Sequence, residues 1–512
     1  MTDALDTRTL GVCIRLNQED NVAICTHRLE AGTLASGVML RDDIPRGHKF
    51  ALTAIAEGEP VLKYAQTIGY ASQSILPGAH VHLHNLAFRA SRQDHDFCST
   101  ARETDFLPKA ERATFEGYVR GDGRVGTRNY IAVITSVNCS ATAGRMIAER
   151  FSPGELAVYP NVDGVAAFVH GTGCAMAANS EGFANLQRVM WGYARNPNCA
   201  GVLMVGLGCE SNQIDFLLEA YGIERGPLFR TMNIQDMGGL RRTVAAGVKI
   251  VEEMLPHANT LTRQTCDASH LTLALQCGGS DAWSGVTANP ALGYAADLVV
   301  RNGGTAVLAE TPEIYGAEHL LTSRARDRQT AEKLMQRIAW WEDYTRIHGG
   351  SMDNNPSPGN KEGGLTTILE KSLGAVAKSG TQRLEGVYLY AEPIDRKGFV
   401  FMDSPGYDPV SITGEIASGC NIAAFTTGRG SVFGSKPAPC IKIATNTEMY
   451  RRMSDDMDIN AGRIVDDGAT IEEVGREIFD LLLEVASGKP SLSEAQGLGD
   501  YEFVPWQIGA VM

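Results

Sequence analysis

The sequence predicts an α/β protein in which a small β-rich domain precedes a large Rossmann-like region of parallel sheet covered by helices. Two observations support this prediction. Short alternating segments separated by Gly, Pro and Asp turns fill the first 88 residues. From Glu116 onward, apolar strands, glycine-rich or polar loops and amphipathic helices recur in that order, which is typical of βαβ units.

The chain has 512 residues, more than one hydrophobic core normally serves. The segments DNVAIC, HKFALTAI and EPVLKYA place the β-rich domain at 1–88. The stretch 89–114 is charged and poor in periodic apolar residues, so we expect a linker there. We expect the large region to form two lobes, 115–265 and 266–512.

Six segments of the large region have the order of strand, loop and helix: 130–151, 201–221, 271–300, 304–322, 398–417 and 440–453. In such units the carboxyl ends of parallel strands line one crevice, where ligands usually bind. Reactive side chains directly after the predicted strands are therefore the first candidates for a functional site.

Composition and charge exclude several classes of function. A formal net charge of −14 disfavours nucleic acid as a partner, because nucleic-acid binding needs clustered Lys and Arg. No apolar run reaches the roughly 20 residues of a membrane span, so we expect no membrane partner. The start, MTDALDTRTLG, shows neither part of a secretory signal, which predicts a cytoplasmic protein. The eleven cysteines are then expected to be reduced.

Three cysteines, Cys139, Cys209 and Cys277, come where a predicted strand ends, about 70 residues from one another. Thiols in such positions can converge on one point and bind a metal. Cys174, in HGTGC, is a fourth candidate. Alternatively, each is a small, easily buried residue that fits a tight turn. The sequence has no CxxC pair, which disfavours a zinc ribbon or a thioredoxin-like site.

The histidines form a second candidate metal site. The segment AHVHLHN places His80, His82 and His84 two residues apart, so on an extended strand they point to one face and two can share an ion. His48 lies in the same small domain. The alternative is a solvated edge strand.

Carboxylates stand beside two of the thiols. Asp281, with Ser280 and Ser284, follows Cys277, and Glu210 follows Cys209. Such carboxylates can act as a general base or orient a metal-bound water, but Asp and Ser are also favoured helix caps. His170 also has two interpretations, as a general base or as a buried core residue.

The glycine-rich loops match no nucleotide motif. Neither NPSPGNKEGG nor TTGRGSVFGSK has the form GxxxxGK[ST], and no GxGxxG opens a helix after a first strand. Backbone N–H groups together with Ser280, Lys361, Arg429 and Lys436 can instead hold a carboxylate and several hydroxyls. These four residues are the candidate substrate-binding groups.

The sequence resembles the altronate and galactarate dehydratases, bacterial hydro-lyases that act on sugar acids. The resemblance covers essentially all of 115–485, and the RGHKFAL turn resembles the SAF-type domain that precedes the catalytic region in this family. It is carried by these motifs: FEGYVRGDGRVGTRNY, TSVNCS, YPNVDGV, HGTGC, GLGCE, QCGGSD, SGVTANPA, NPSPGNKEGGL, EKSLGAVAKSG, FTTGRGS and DMDINAG.

The resemblance implies removal of water from a sugar acid with iron as the Lewis acid. HVHLHN and GFVFMDSPGYDPVSITG are more similar to altronate dehydratases, which implies conversion of D-altronate into 2-dehydro-3-deoxy-D-gluconate. Galactarate or another aldonate or aldarate is the alternative substrate. A sugar-acid binding protein without catalysis is an alternative of another class.

Two placements of the iron stay open. In one, Cys139, Cys209 and Cys277 hold a [4Fe–4S] cluster with one open iron. In the other, His48, His82 and His84 hold a single Fe²⁺, with Mn²⁺ as a possible substitute, together with Glu210 or Asp281. His170, Glu210 and Asp281 are the candidates for the general base. We expect a homodimer, which is common among large cytoplasmic enzymes.

Overall fold

The computed structural model describes residues 11–90 and 95–512. The remaining residues of the predicted β-rich domain and linker, 1–10 and 91–94, lie outside the described residues. The strands are β1 (Cys13–Ile14), β2 (Val22–Cys25), β3 (Leu34–Ala35), β4 (Val38–Met39), β5 (Lys49–Ala51), β6 (Pro60–Lys63), β7 (Gln66–Ala71), β8 (His80–Val81), β9 (Leu86–Ala87), β10 (Thr114–Val119), β11 (Val125–Gly126), β12 (Tyr130–Thr135), β13 (Gly164–Phe168), β14 (Cys199–Gly206), β15 (Phe229–Asn233), β16 (Gln264–Asp267), β17 (Thr272–Cys277), β18 (Thr305–Leu308), β19 (Leu384–Tyr388), β20 (Gly398–Met402), β21 (Ile422–Thr427), β22 (Cys440–Ala444) and β23 (Ile459–Asn460).

The helices are α1 (Ala141–Ala148), α2 (Pro153–Leu156), α3 (Glu181–Ala194), α4 (Ile214–Tyr221), α5 (Leu240–Asn259), α6 (Ala288–Arg301), α7 (His319–Thr322), α8 (Arg328–Ile347), α9 (Pro358–Glu362), α10 (Ile368–Val376), α11 (Asp408–Ser418), α12 (Thr447–Arg452), α13 (Arg463–Asp466), α14 (Ile471–Ala486) and α15 (Leu492–Ala495). Within the described ranges, none of them combines the length and the apolar character that a bilayer crossing requires.

The amino-terminal strands form small antiparallel sheets, as the alternating pattern predicts. β1, β2, β5 and β8 make one sheet, β6, β7 and β9 a second, and β3 pairs with β4. Apolar side chains from these strands, including Val22, Val61 and Ile68, are buried. They join the large apolar core that also covers the seven-stranded sheet, so the small domain packs firmly on the large region.

The first parallel sheet has the order β13-β12-β14-β15. Its strands are apolar on both faces because helices cover both. Ile131 and Val133 of β12 pack with α1 and α5 on one face. Ala132 and Ile134, which alternate with them, belong to the core that contains α3 and α4 on the other face. The carboxyl ends of the strands lie along one edge of this sheet.

The second parallel sheet has seven strands in the order β19-β20-β18-β17-β21-β22-β23. α6 and α14 cover one face, and α11 covers the other, where it packs on α3 of the first unit. From β17 the chain passes to β18 on one side and later returns to β21 on the other side. A reversal of this kind opens a crevice at the carboxyl ends of the strands, the usual place for a ligand.

The predicted α/β class is confirmed, and all six predicted strand-loop-helix units are present: β12-α1, β14-α4, β17-α6, β18-α7, β20-α11 and β22-α12. One local prediction is wrong. The segment AHVHLHN is not one extended strand, because β8 ends at Val81 and the chain turns at His82, whose carbonyl accepts the N–H groups of Asn85 and Leu86.

Candidate active site

A buried cluster of charged side chains lies where β17 and β18 end. Cys277 is the last residue of β17, while Glu310 and Glu313 follow β18. Lys378 donates to the Cys277 sulfur at 2.8 Å and lies 3.7 Å from Glu310. Lys371 of α10 donates to Glu313 at 2.8 Å. All five side chains are at most 8% exposed, so the crevice contains charges held out of water.

Glu310 is the least satisfied member of this charged cluster. Both of its carboxylate oxygens are buried and accept no hydrogen bond. Its backbone is left-handed, with φ of 71°, which is uncommon for a residue with a side chain. Buried carboxylates without hydrogen bonds and strained backbone are both costly and concentrate at functional sites. Glu310 is therefore the clearest structural sign of function in this crevice.

The surroundings separate the acidity of the two glutamates. Burial and then the charge of Glu313 raise the pKa of Glu310 well above its usual value. Glu313 is buried too, but Lys371 and Lys378 outweigh its desolvation and lower its pKa. Burial raises the pKa of Cys277 to about 12, so this group is a thiol at neutral pH. Divergent acidities in one crevice are typical of catalytic sites.

Asp408, the first residue of α11, faces the same charged cluster. Its Oδ2 lies beside Gly278, so close that a Cβ on Gly278 would be 2.2 Å away. Burial and the charge of Glu313 raise the pKa of Asp408 to about 6. Because Asp408 is only half-buried, it is a carboxylate that titrates near neutrality and that a ligand can reach.

The ligand atoms of Cys277, Glu310 and Glu313 all lie within 4.8 Å of one another, close enough to share a metal ion. Across residues 11–90 and 95–512, no other group of three His, Cys, Asp or Glu side chains meets this spacing. The two carboxylates suit an ion such as Mn²⁺, and Cys277 would have to lose its proton to act as the third ligand. The oxygens of Glu310, which accept no hydrogen bond, fit the same interpretation.

Asp281 is held by its own loop rather than presented to a ligand. Its Oδ1 accepts from the N–H groups of Trp283 and Ser284 and from the Thr445 hydroxyl, and its Oδ2 accepts from the Asn446 amide. The capping interpretation therefore explains its contacts. Burial raises the pKa of Asp281. Its catalytic role stays a prediction.

Ser280 occupies a better position for contact with a ligand. It lines a narrow cavity together with Tyr64 of the small domain and Lys371 of the charged cluster. Its carbonyl accepts from the Asn360 amide at 2.8 Å, which ties α9 to the loop after β17.

The histidines gather where the small domain meets α9. Ring centroids of His48, His80 and His82 lie 5.0–5.5 Å apart, and His84 is exposed 5.6 Å from His80. His48 and His82 donate to the carbonyls of Glu362 and Lys361, at 3.3 and 3.0 Å. Burial lowers the pKa of His48, and burial lowers that of His82 to about 4, so both rings are neutral at pH 7. Iron binding by His48, His82 and His84 stays a prediction.

The three candidate cationic groups lie at the rim. Lys361 lies in α9, where its carbonyl contacts His82, and Arg429 pairs with the exposed Glu362 at 3.1 Å. Lys436 pairs with Asp500 at 2.5 Å. Lys361 and Arg429 therefore belong to one side of the crevice, while Lys436 is occupied by the carboxyl-terminal segment.

The four candidate thiols do not share one sheet. Cys139, Cys174 and Cys209 are exposed and follow β12, β13 and β14 of the four-stranded sheet. Cys277 is buried in the seven-stranded sheet, among the charges described above. A cluster on Cys139, Cys209 and Cys277 would have to bridge these two sheets, and it stays a prediction.

His170 and Glu210 support the loops near the exposed thiols. His170 donates from Nε2 to the Thr135 carbonyl at 2.9 Å and accepts at Nδ1 from the Thr172 N–H. Burial lowers the pKa of His170 to about 4. Glu210 accepts from the Ser136 hydroxyl and from two N–H groups of its own loop. Both ring nitrogens of His170 and both carboxylate oxygens of Glu210 are thus engaged in hydrogen bonds within the protein. Their roles as general base stay predictions.

Sequence reasoning missed Glu310, Glu313, Lys371, Lys378 and Asp408. A local signal exists for the acids, because ETPE follows the buried strand TAVL after one alanine and Asp408 follows FVFM by six residues. The lysines lie in EKSLGAVAKSG, where polar neighbours such as Glu370, Ser372 and Ser379 give no sign of burial. Their burial depends on partners 58 and 101 residues away in sequence.

Comparison with known proteins agrees with the resemblance along the whole chain. Residues 12–89 match the altronate/galactarate dehydratase SAF domain. Residues 117–259 match the D-galactarate dehydratase/altronate hydrolase second domain, and residues 268–511 match the D-galactarate/altronate dehydratase carboxyl-terminal domain.

Three relatives extend over nearly the full length. Galactarate dehydratase (L-threo-forming) of Escherichia coli is 38% identical, with 95% of each chain covered. Altronate dehydratase of Bacillus subtilis is 35% identical, covering 93% of this chain and 95% of the relative. Altronate dehydratase of E. coli is 36% identical, covering 94% and 96%. The chain belongs to the altronate/galactarate dehydratase family of hydro-lyases.

Proposed function

We propose that this protein dehydrates D-altronate to 2-dehydro-3-deoxy-D-gluconate at the crevice formed by the ends of β17 and β18. The buried carboxylate of Glu310, which accepts no hydrogen bond and lies 3.7 Å from Lys378, is the observation that carries the location. HVHLHN and GFVFMDSPGYDPVSITG favour altronate. Galactarate is the alternative substrate, because the relatives named for each acid are similarly identical to this chain.

Asp408 is the proposed general base. Removing the C2 proton of a 2,3-dihydroxy acid leaves its electron pair on the carboxylate as an enediolate. A base that titrates near the working pH is suited to this step, and the pKa of Asp408 is raised to about 6 by burial and Glu313. The electron pair then expels the C3 hydroxyl, and the resulting enol becomes the 2-keto acid.

Lys371 is the proposed group that stabilises the enediolate and protonates the leaving hydroxide. It lines the cavity beside Ser280, and its ion pair with Glu313 keeps it charged. Burial opposes that charge, but Glu313 outweighs burial and raises the pKa of Lys371. A fixed cation in a site that excludes water stabilises developing negative charge far better than one in solvent.

Cys277, Glu310 and Glu313 would hold the iron that the family resemblance implies. Their spacing and the absence of hydrogen bonds to the Glu310 oxygens fit an ion. When bound, iron supplies Lewis-acid assistance to departure of the C3 hydroxyl, and Mn²⁺ is the proposed substitute.

Binding of the six-carbon acid requires motion. The cavity beside Ser280 measures about 10 Å³, room for about one water. We therefore propose that α9 moves away from the small domain, which exposes Ser280 to the substrate beside Lys361 and Arg429. The contacts of His48 and His82 with α9 would break in that opening.

Domain organisation, assembly and location follow the family interpretation. We propose domains at 1–88, 115–265 and 266–512, with the linker at 89–114, because β10 and β16 pair where the middle unit begins and ends. A homodimer in the cytoplasm is also proposed.

Product analysis tests the function. Purified protein loaded with Fe²⁺ is incubated separately with D-altronate and galactarate, and the 2-keto-3-deoxy product is quantified. The proposal expects the larger kcat/KM on D-altronate. A larger value on galactarate would reassign the substrate, while no turnover of any sugar acid would favour a binding protein.

A further inference from the structure

We infer that Cys139, Cys174 and Cys209 form a second metal centre, which binds a [4Fe–4S] cluster with one iron left without a protein ligand. The inference concerns the four-stranded sheet and does not rest on the dehydration proposed at the other sheet. The ligand set differs from the sequence prediction in one residue, since Cys174 takes the place of Cys277.

The three thiols stand at one edge. β13, β12 and β14 are adjacent and parallel, and Phe168, Thr135 and Gly206 end them. The cysteines follow within six residues of these ends. All three thiols are exposed, whereas Cys199, at the start of β14, lies at the opposite edge.

Hydrogen bonds of Asn212 bring the three loops together. Its amide donates to the Ser136 carbonyl and its N–H donates to the Gly173 carbonyl, both at 3.1 Å. Cys139 is three residues after Ser136, Cys174 adjoins Gly173, and Cys209 is three residues before Asn212. Three residues of chain span at most about 10 Å, so each thiol lies within one short loop of this meeting point.

The supporting side chains hold these loops without adding a ligand. Glu210 ties the Cys209 loop to Ser136, and all its acceptor contacts are internal. His170 uses both ring nitrogens on Thr135 and Thr172. Glu210 and His170 therefore act as positioning residues for the loops that carry the thiols.

Donor chemistry favours an iron–sulfur cluster over a single ion. The donors are three sulfurs, which select iron–sulfur clusters, zinc or Cu(I). A structural zinc site is closed by four protein ligands, and His170 and Glu210 are already occupied. The sulfurs of Cys139, Cys174 and Cys209 do not all lie within 4.8 Å of one another, unlike the ligand atoms of Cys277, Glu310 and Glu313. A four-iron cube, which brings its own sulfides, bridges a wider gap than one ion.

Reconstitution tests the inference. Full-length protein is incubated under nitrogen with ferric iron, sulfide and dithiothreitol, then desalted. The expected result is about four acid-labile sulfides per chain, together with a broad visible charge-transfer band. Cys139→Ser, Cys174→Ser and Cys209→Ser should each lower bound sulfide to less than one per chain.

Two control variants make the result specific. Cys199→Ser changes the opposite end of β14, and Cys277→Ser changes the buried thiol of the other sheet. Both should retain the bound sulfide. Loss in Cys277→Ser with retention in Cys174→Ser would overturn the inference, as would zinc bound by the three thiols without sulfide.

Alkylation of the wild-type protein gives a readout that needs no variant. Cys139, Cys174 and Cys209 should react with iodoacetamide in the metal-free protein and be protected at least tenfold after reconstitution, as measured by peptide mass spectrometry. Absence of protection would overturn the inference. That outcome would leave the proposed dehydration standing, because product formation tests the dehydration separately.

Discussion

Lys49 of the small domain donates to both carboxylate oxygens of Glu370 in α10, at 3.0 and 2.9 Å. Lys63 adds a third contact to Glu370 at 2.9 Å, and all three side chains are at most 1% exposed. Glu370 is the neighbour of Lys371, which reaches into the charged cluster. One turn of α10 therefore connects the small domain to the proposed catalytic groups.

Glu370→Gln should strongly destabilise the protein, because it leaves two lysines buried without their counter-ion. The expected loss is about 3–5 kcal/mol in the free energy of unfolding. Urea denaturation followed by circular dichroism measures it. Glu332→Gln is the control, since Glu332 is 48% exposed in its pair with Arg328, and it should change stability by less than about 0.5 kcal/mol. Equal effects of the two substitutions would contradict this account of the interface.

Sequence patterns predicted the six strand-loop-helix units because each joins a largely apolar strand to a following helix. They missed β13, whose sequence GVAAF is short and follows a turn-rich segment. They also missed β15, where FRTMN is too polar to be read as a buried strand. Both strands are specified by pairing with neighbours rather than by their own composition.

The candidate site was less predictable than the fold. The thiols could be found because strand ends are visible in the sequence, but which of them share a sheet depends on strand order. Asp281 matched a catalytic pattern and a cap equally well, and its partners Thr445 and Asn446 lie more than 160 residues away. Lys371 and Lys378 look like ordinary helix-surface lysines until tertiary packing buries them.

The pH dependence of kcat/KM should show the titration of Asp408. Burial and Glu313 raise its pKa to about 6. A base acts in its ionised form, so activity should be nearly constant above this pH and fall about tenfold per unit below it. Initial rates at low D-altronate between pH 4.5 and 8 measure the profile. A profile with no loss down to pH 4.5 would exclude Asp408 as the base.

Removing the metal should abolish activity, and Glu310→Gln should weaken metal binding. Gln keeps the shape but removes one of the two carboxylate charges near the Cys277 sulfur. Titration calorimetry with Mn²⁺ should show at least tenfold weaker binding than in the wild type. Glu318→Gln is the matched control, because Glu318 is also a buried glutamate after β18 but belongs to no ligand group among the described residues. Equal Mn²⁺ affinity in both variants would show that Glu310 is not a ligand of the ion.

Gly192→Ala should destabilise the contact between the two parallel-sheet units. Gly192 of α3 lies against α11, and an added Cβ would be 2.2 Å from the Ala417 carbonyl oxygen. Backbone must shift to relieve this clash, at a cost of about 1–3 kcal/mol. Thermal unfolding measures the loss. Gly154→Ala in α2 is the control, as its added Cβ would have one neighbour, at 3.9 Å.

Dehydration by Asp408 is tested by comparing product formation from D-altronate by the wild type and by Asp408→Asn, both loaded with Fe²⁺. The control is Asp215→Asn, which changes an exposed carboxylate in the first turn of α4. We expect a kcat lower by about 10²–10⁴-fold in Asp408→Asn, with unchanged melting temperature and D-altronate binding, and a wild-type rate in Asp215→Asn. Full activity in a folded Asp408→Asn enzyme would exclude Asp408 as the base.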